Sequence, residues 1–267
     1  MIRLEDKDYG KVAEQLRSIP INTLFAQAVL TGQVRGTVYA DNAENPGAFY
    51  IVNPYGMSLL FGKSGDDDFR EALKNYLLNA GQARQAAEWL QAYPDEWNFF
   101  IAELAGSEQN RDRKITEYSR INFNFDRQTY ESAASRAVPG LHTIVPTTKE
   151  MFHQLSGSVS PKNFWIDADE FLGRGKGFSL IEDGEAVSTA FGAFRIGEQL
   201  EIGIETAEQA RGKGYAFHVS MALIEYCLRN GLEPVWSCRR ENEASYLLAQ
   251  KVGFVPTIRL PYYHLQA

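Results

Sequence analysis

The run Gln209-Ala210-Arg211-Gly212-Lys213-Gly214-Tyr215-Ala216 sets two glycines beside two cations. It follows a strand-like stretch, Leu200 to Thr206, and opens a long apolar helix predicted over Gly214 to Leu228. The first turn of a helix has unpaired N–H groups and a partial positive charge, so it can hold a phosphate. Gly212 and Gly214 would let the backbone approach the anion with no Cβ in the way. Arg211 and Lys213 would add positive charge. The spacing is not that of the mononucleotide loop, Gly-x-x-x-x-Gly-Lys-Ser/Thr, nor of the dinucleotide fingerprint. The plainer alternative is an ordinary tight turn between a strand and a helix.

Downstream, Pro234 to Cys238 reads as a strand, and Asn242 to Phe254 follows it. Asn242 suits a helix N-cap and Gly253 a left-handed stop, roles that need no chemistry. Glu201 and Glu205 lie four apart on the predicted strand and so share one face, with Gly203 between them. Two carboxylates beside an ammonium group could bind it and accept its proton through water. A solvated face or a salt-bridge pair is the alternative. Tyr246 in the second helix, and Tyr262, Tyr263 and His264 near the C-terminus, are further proton-transfer candidates. The last three also read as partly buried strand residues.

Together the two runs resemble the GNAT superfamily of acyl-CoA-dependent N-acyltransferases. The pattern Arg/Gln-x-x-Gly-x-Gly/Ala is met twice, by Gln209, Gly212 and Gly214 and by Arg211, Gly214 and Ala216, the second register being preferred. The later Asn-x-x-Ala/Ser-x-x-Leu-x-x-Lys-x-Gly-Phe is met by Asn242, Ser245, Leu248, Lys251, Gly253 and Phe254. Phe171 to Phe178, Glu201 to Thr206, Gly231 to Trp236 and Gly36 to Asn42 look like the zwittermicin A resistance type. That type places a degenerate GNAT-like lobe before the catalytic one.

The resemblance implies that acetyl-CoA is the acyl donor, that no metal is needed, and that a primary amine of a small molecule attacks the thioester directly. It implies that backbone groups of Arg211, Gly212, Lys213, Gly214, Tyr215 and Ala216 hold the pyrophosphate. Backbone near Ile204 and Thr206 would hold pantetheine where their strand splays from Pro234 to Cys238, and Asn242 would approach the pantetheine or thioester. Glu201 and Glu205 become candidates for the base. Many members carry Tyr seven residues after the Asn, to protonate the leaving thiolate, but Ala249 stands there; Tyr246 is the nearest substitute. That departure supports a rival reading, a non-catalytic acyl-CoA-binding or protein-interaction module. Acylation of a protein lysine is a third.

These groups need a scaffold. Helical spacing marks Asn22 to Leu30, and Val34 to Ala40, Ala48 to Val52 and Met57 to Phe61 read as strands between turn-rich stretches. Asp66, Asp67 and Asp68 suit the start of a helix over Asp68 to Asn79, with metal binding the sharper alternative. Gln82 to Ala92 is predicted as a second helix, and Trp97 to Leu104 is ambiguous. Tyr118 to Phe125 alternates as a strand should. After Val138-Pro139-Gly140, helix, three strands, helix, strand, helix and strand recur. Gly173 to Gly177 precedes a strand, which favours a turn over a phosphate loop. The expected fold is α/β (α+β): two GNAT-like lobes, 1–140 and 141–267, each a mixed, mostly antiparallel sheet flanked by helices.

The 267 residues are 44% hydrophobic and 23% charged, ordinary for a globular protein and long enough to bury a core without staples. A net charge of -7 and the absence of a basic run argue against nucleic acid as partner. There is no stretch of apolar residues long enough to span a membrane, and the N-terminus is too charged for a signal peptide. Two cysteines, Cys227 and Cys238, give no disulfide framework, and the four histidines have no metal-ligand spacing. The expectation is a cytoplasmic enzyme, with a homodimer as its candidate assembly.

Overall fold

Short polar turns cut the first half of the chain into strands that alternate with amphipathic helices. The computed structural model describes residues 1–63, 65–112, 114–135 and 142–267. The first half forms β1 (Ile2–Arg3), α1 (Tyr9–Leu16), α2 (Leu24–Leu30), β2 (Thr37–Ala40), β3 (Ala48–Val52) and β4 (Met57–Gly62). It continues with α3 (Asp67–Leu77), β5 (Glu88–Tyr93), α4 (Asp95–Gly106), β6 (Ile115–Phe125) and α5 (Arg127–Ala134). The second half repeats the order: β7 (Thr143–Pro146), α6 (Lys149–Gln154), α7 (Ala168–Glu170), β8 (Gly177–Glu182), β9 (Glu185–Ile196) and β10 (Gln199–Thr206). Then come α8 (Tyr215–Arg229), β11 (Glu233–Arg239), α9 (Glu243–Lys251) and β12 (Phe254–Leu265).

The chain divides into two compact units. Unit 1 holds Met1–Arg120, Arg239–Glu241 and Arg259–Ala267; unit 2 holds Ile121–Cys238 and Asn242–Ile258. The division falls between Arg120 and Ile121, within β6, ahead of the expected boundary at 138–140, which lies outside the described residues.

In unit 1 the strands run β1-β2-β3-β4-β5-β12-β6. Neighbours are antiparallel from β1 to β4 and from β5 to β12, and β4–β5 is parallel. Phe69, Leu73 and Leu77 form one stripe of α3 and pack with Tyr50, Leu60, Leu90 and Trp97 of the same cluster. The chain's end supplies Tyr263 and Leu265 to that cluster. A carboxylate is buried here too: Glu88 accepts from the hydroxyl of Tyr50 at 2.7 Å and from that of Tyr76. Arg84 donates to the carbonyls of Tyr76, Leu77 and Gln266, tying the C-terminus to α3.

In unit 2 the order from the far edge is β7-β8-β9-β10-β11, then β6 and β12, here through their residues 121–125 and 254–258. β7 to β10 are antiparallel neighbours and β10–β11 is parallel. Its core joins Val219, Leu223 and Ile224 of α8 to Leu200, Trp236, Val252 and Phe254.

Each unit thus carries a mixed, mostly antiparallel sheet flanked by helices, as the sequence leads one to expect. One element differs. Residues 82–92 do not form a helix; Glu88–Tyr93 is strand β5. Glu88, Leu90 and Ala92 on one face and Gln91 on the other are buried, and Trp89 and Tyr93 are half-buried, so the polar–apolar alternation that marks a strand is absent from its residue types. The ambiguous stretch is helix α4. Helices α1 and α5 carry no expectation from the sequence. The Gly173–Gly177 run closes the π-helical turn Phe171–Gly175 and enters β8, and it is packed at Gly175, where a Cβ would lie 2.6 Å from both Trp165 and Phe171.

Candidate functional site

Strands β10 and β11 begin as parallel neighbours and then part. Their register covers Gln199–Glu201 against Glu233–Val235 and goes no further. Ile202 to Thr206 stay paired with β9 alone among the described residues. The parting begins at a bulge, where Glu201 faces Phe194 but Ile202 faces Gly192.

The parity of the β9–β10 ladder decides which backbone groups face the gap. The N–H of Ala207 donates to the carbonyl of Val187 at 2.9 Å, continuing the register that sets Thr206 opposite Ser188. In an antiparallel ladder such bonded pairs alternate with pairs whose backbone groups point outward. Gly203 and Glu205 therefore bond to β9. Ile204 and Thr206 turn their N–H and C=O groups toward the side that β11 has left. The Thr206 carbonyl agrees, since it accepts from Arg211 Nε at 3.2 Å.

Just beyond, helix α8 starts at Gly214 with φ +82 and no side-chain cap. Gly212 has φ +80, and nothing lies within 4 Å of a Cβ built at either glycine. The glycines are needed for their left-handed backbone, and the space above them is open. An uncapped 15-residue helix with its first N–H groups toward open space can take an anion.

The two cations of this turn are both engaged. Lys213 meets the carboxylate of Glu182 at 2.9 Å, and the Tyr215 hydroxyl donates to the same group. Those hydrogen bonds, Tyr215 first and Lys213 second, hold the Glu182 carboxyl below its usual pKa. The Lys213 ammonium is pushed up in return, chiefly by Glu182. Arg211 lies 3.6 Å from Glu205.

The two candidate carboxylates differ. Glu201 is buried, while Glu205 is half-buried and held. Glu205 accepts the N–H of Val159 at 3.1 Å, and Gly157, at φ +109, presses so close that its Cβ would lie 2.6 Å from that carboxylate. Gly203 between them makes room for Phe191, whose ring a Cβ would meet at 2.8 Å. Asn242 is spent as an N-cap, its side-chain oxygen accepting from Ser245 N–H at 3.1 Å. Tyr246 packs its ring 5.7 Å from that of Phe123, and Ala249 is fully buried in the core.

Unit 1 has the same elements without the gap. There β4 and β5 stay paired from Met57–Trp89 through Phe61–Tyr93. Its helix α3 is capped by Asp66, whose carboxylate accepts from Phe69 N–H at 3.0 Å, with Asp67 and Asp68 in the first turn. A phosphate there would face three carboxylates. The two helix starts differ in kind, and among the described residues the open arrangement is that of unit 2.

The profile of a family described as GNAT acetyltransferase matches residues 15–263. The chain belongs to the GNAT acetyltransferase family. An uncharacterised N-acetyltransferase of Bacillus subtilis (strain 168), YdfB, is 25% identical over 232 residues, 86% of this chain and 85% of the relative. A GCN5-related N-acetyltransferase-like protein of Streptococcus suis 89/1591 shares the fold at a TM-score of 0.73, with 21% identity over 97% of this chain and 99% of the other. A tandem GNAT protein from the clavulanic acid biosynthesis pathway does so at 0.63, with 12% identity over 99% of this chain and 97% of the other. The duplicated element order is thus that of a tandem GNAT fold.

Within this GNAT fold, two contributors at the glycine turn are absent from the motif. Glu182 comes from the end of β8 and Val159 from the loop after α6. Glu182 precedes the hairpin turn Asp183-Gly184, and Gly157 sits between two serines. Neither pattern marks a site by itself.

Proposed function

We propose that this GNAT protein moves an acetyl group from acetyl-CoA to the primary amine of a small molecule, by direct attack of the amine, in the cytoplasm. The observation that carries the reading is the gap between β10 and β11 beside the uncapped start of α8. The residues fit the donor. Outward backbone groups of Ile204 and Thr206 would hold pantetheine as an added strand. Backbone N–H groups from Arg211 to Ala216 would hold the pyrophosphate, with Lys213 exchanging Glu182 for it, and the Asn242 side-chain amide would approach the pantetheine or the thioester. Acetyl-CoA supplies the acyl group already activated as a thioester.

Direct attack needs orientation and a proton acceptor, and no enzyme nucleophile. Glu201 is the acceptor, through water, because it is buried on the strand that lines the gap. A carboxylate this buried favours a slender amine. Glu205 is a positioning residue, holding the Gly157–Val159 loop and Arg211. Tyr246 is the proton donor to the departing sulfur, which Tyr246→Phe tests by its effect on kcat. Location in a reducing compartment is supported by two free, buried cysteines, and no helix among the described residues is long and apolar enough to cross a membrane.

Thermal unfolding with acetyl-CoA is the first test. At 100 times the dissociation constant, binding adds about 2.7 kcal/mol. Thiol release with a panel of primary amines follows. No shift at millimolar acetyl-CoA would overturn the reading. A shift with no thiol release from any amine would point to the binding module instead.

A further inference from the structure

Unit 1 carries an aromatic and cationic cluster that acetyl transfer does not use. The Arg239 guanidinium sits 4.5 Å over the Trp89 ring and 5.9 Å from that of Tyr118. Arg120 sits 5.2 Å over Tyr262. Trp89 also stacks on Tyr262 at 5.0 Å and lies 4.5 Å from His264, its register partner across β5 and β12. The Arg239 guanidinium makes no hydrogen bond or ion pair to a side chain among the described residues. The nearest acid along the chain, Glu241, is taken up by the N–H of Ser119 at 3.1 Å.

A second observation falls on the same face of strand β5. Gln91 lies two residues from Trp89 on the same face of β5. It is 0% exposed, and neither its amide nitrogen nor its amide oxygen has a hydrogen-bond partner. Buried polar side chains are nearly always paired with protein or ordered water, so the Gln91 amide has hydrogen-bonding capacity left to fill. An indole-stacked guanidinium loses water from its face but keeps its N–H edge in plane. That edge matches a carboxylate with two parallel hydrogen bonds.

We propose that Arg239, backed by Trp89 and Tyr118 and flanked by Arg120 and Gln91, forms a binding site in unit 1 for a small planar carboxylate. The guanidinium edge takes the two oxygens, and the Gln91 amide supplies a further donor. A phosphate can also pair two of its oxygens with this edge, but its tetrahedral centre leaves the other two out of the guanidinium plane, where the ring faces offer no donor. The site stands independently of acetyl transfer.

Calorimetric titration of the full chain with acetate and benzoate, against acetamide, benzamide and inorganic phosphate, tests it. At least one carboxylate should bind about tenfold more tightly than its amide and than phosphate, a difference of about 1.4 kcal/mol. Arg239→Gln should erase that preference, and Arg239→Lys should recover only part of it, having lost the fork. Gln91→Leu separates binding from folding: it removes an unpartnered buried amide, so stability should rise while carboxylate affinity falls. Equal binding of acid and amide, tighter binding of phosphate, no binding by either carboxylate, or an unchanged affinity in Arg239→Gln would each overturn the proposal.

Discussion

The smallest features of this protein set the sharpest expectations. Gly214 has a left-handed backbone and open space where a side chain would stand. Gly214→Glu should therefore cost only about 1–2 kcal/mol of strain, leaving the fold intact. A carboxylate would project where pyrophosphate is proposed to sit, so the acetyl-CoA thermal shift should vanish. An unchanged shift in the folded variant would remove Gly214 from the site. Glu201→Gln keeps the shape and removes the proposed proton acceptor. It should lower kcat by about 10²-fold or more with the acetyl-CoA shift retained; full activity would hand the role to another group. Cys227 bears on neither step, since burial pushes its thiol up to about 12. The glycines and the Asn242 cap were legible in the sequence because local backbone geometry demands those residue types. The fates of Lys213 and Glu205 were not, because Glu182 and Val159 reach them from 31 and 46 residues away.

Elements decide which unit can take a cofactor. In unit 2, β10 and β11 share three register positions and then part; in unit 1, β4 and β5 share five. A strand edge already paired has no backbone groups left for a ligand. Helix α3 adds a capped N-terminus with acids in its first turn, where helix α8 has open glycines. Calorimetry should therefore find one acetyl-CoA per chain, and a stoichiometry of two would contradict this contrast. The strands and helices flanking the glycine turn could be read from periodicity and punctuation. The parting of β10 from β11 could not, since pairing partners are not written in either strand. Strand β5 failed for a different reason. Its stretch is rich in Ala and Gln, which favour helix, and tertiary burial of Leu90 and Gln91 on opposite faces overrode that preference.

At the scale of the whole molecule, pH and chain connectivity both matter. Burial lowers the pKa of His218, helped by His142, and of His264, helped by Arg239 and Arg84. Folded values below 6.5 mean that the unfolded chain takes up protons first as pH falls. Stability should therefore decline as pH drops through about 6.5, and the double variant His218→Gln, His264→Gln should flatten that decline in melting curves. A slope unchanged by the variant would place the acid sensitivity elsewhere. Connectivity makes a stronger demand. Unit 1 needs Arg259–Ala267 and unit 2 needs Ile121–Phe125, so each takes a strand segment from the opposite half of the sequence. Fragment 1–140 would lack Tyr263 and Leu265, which are 1% and 0% exposed. It would also lack the pairing of Tyr263–Leu265 with β5, and Arg84 would lose its Gln266 acceptor. Two large side chains are worth about 1.5–3 kcal/mol each, against a total stability of about 5–15 kcal/mol. Fragment 141–267 would lack Ile121, Phe123 and Tyr130 from its core. Neither fragment should unfold cooperatively when made alone, whereas co-expression should return a folded complex. A cooperative melt from either fragment by itself would show that its borrowed strand is dispensable.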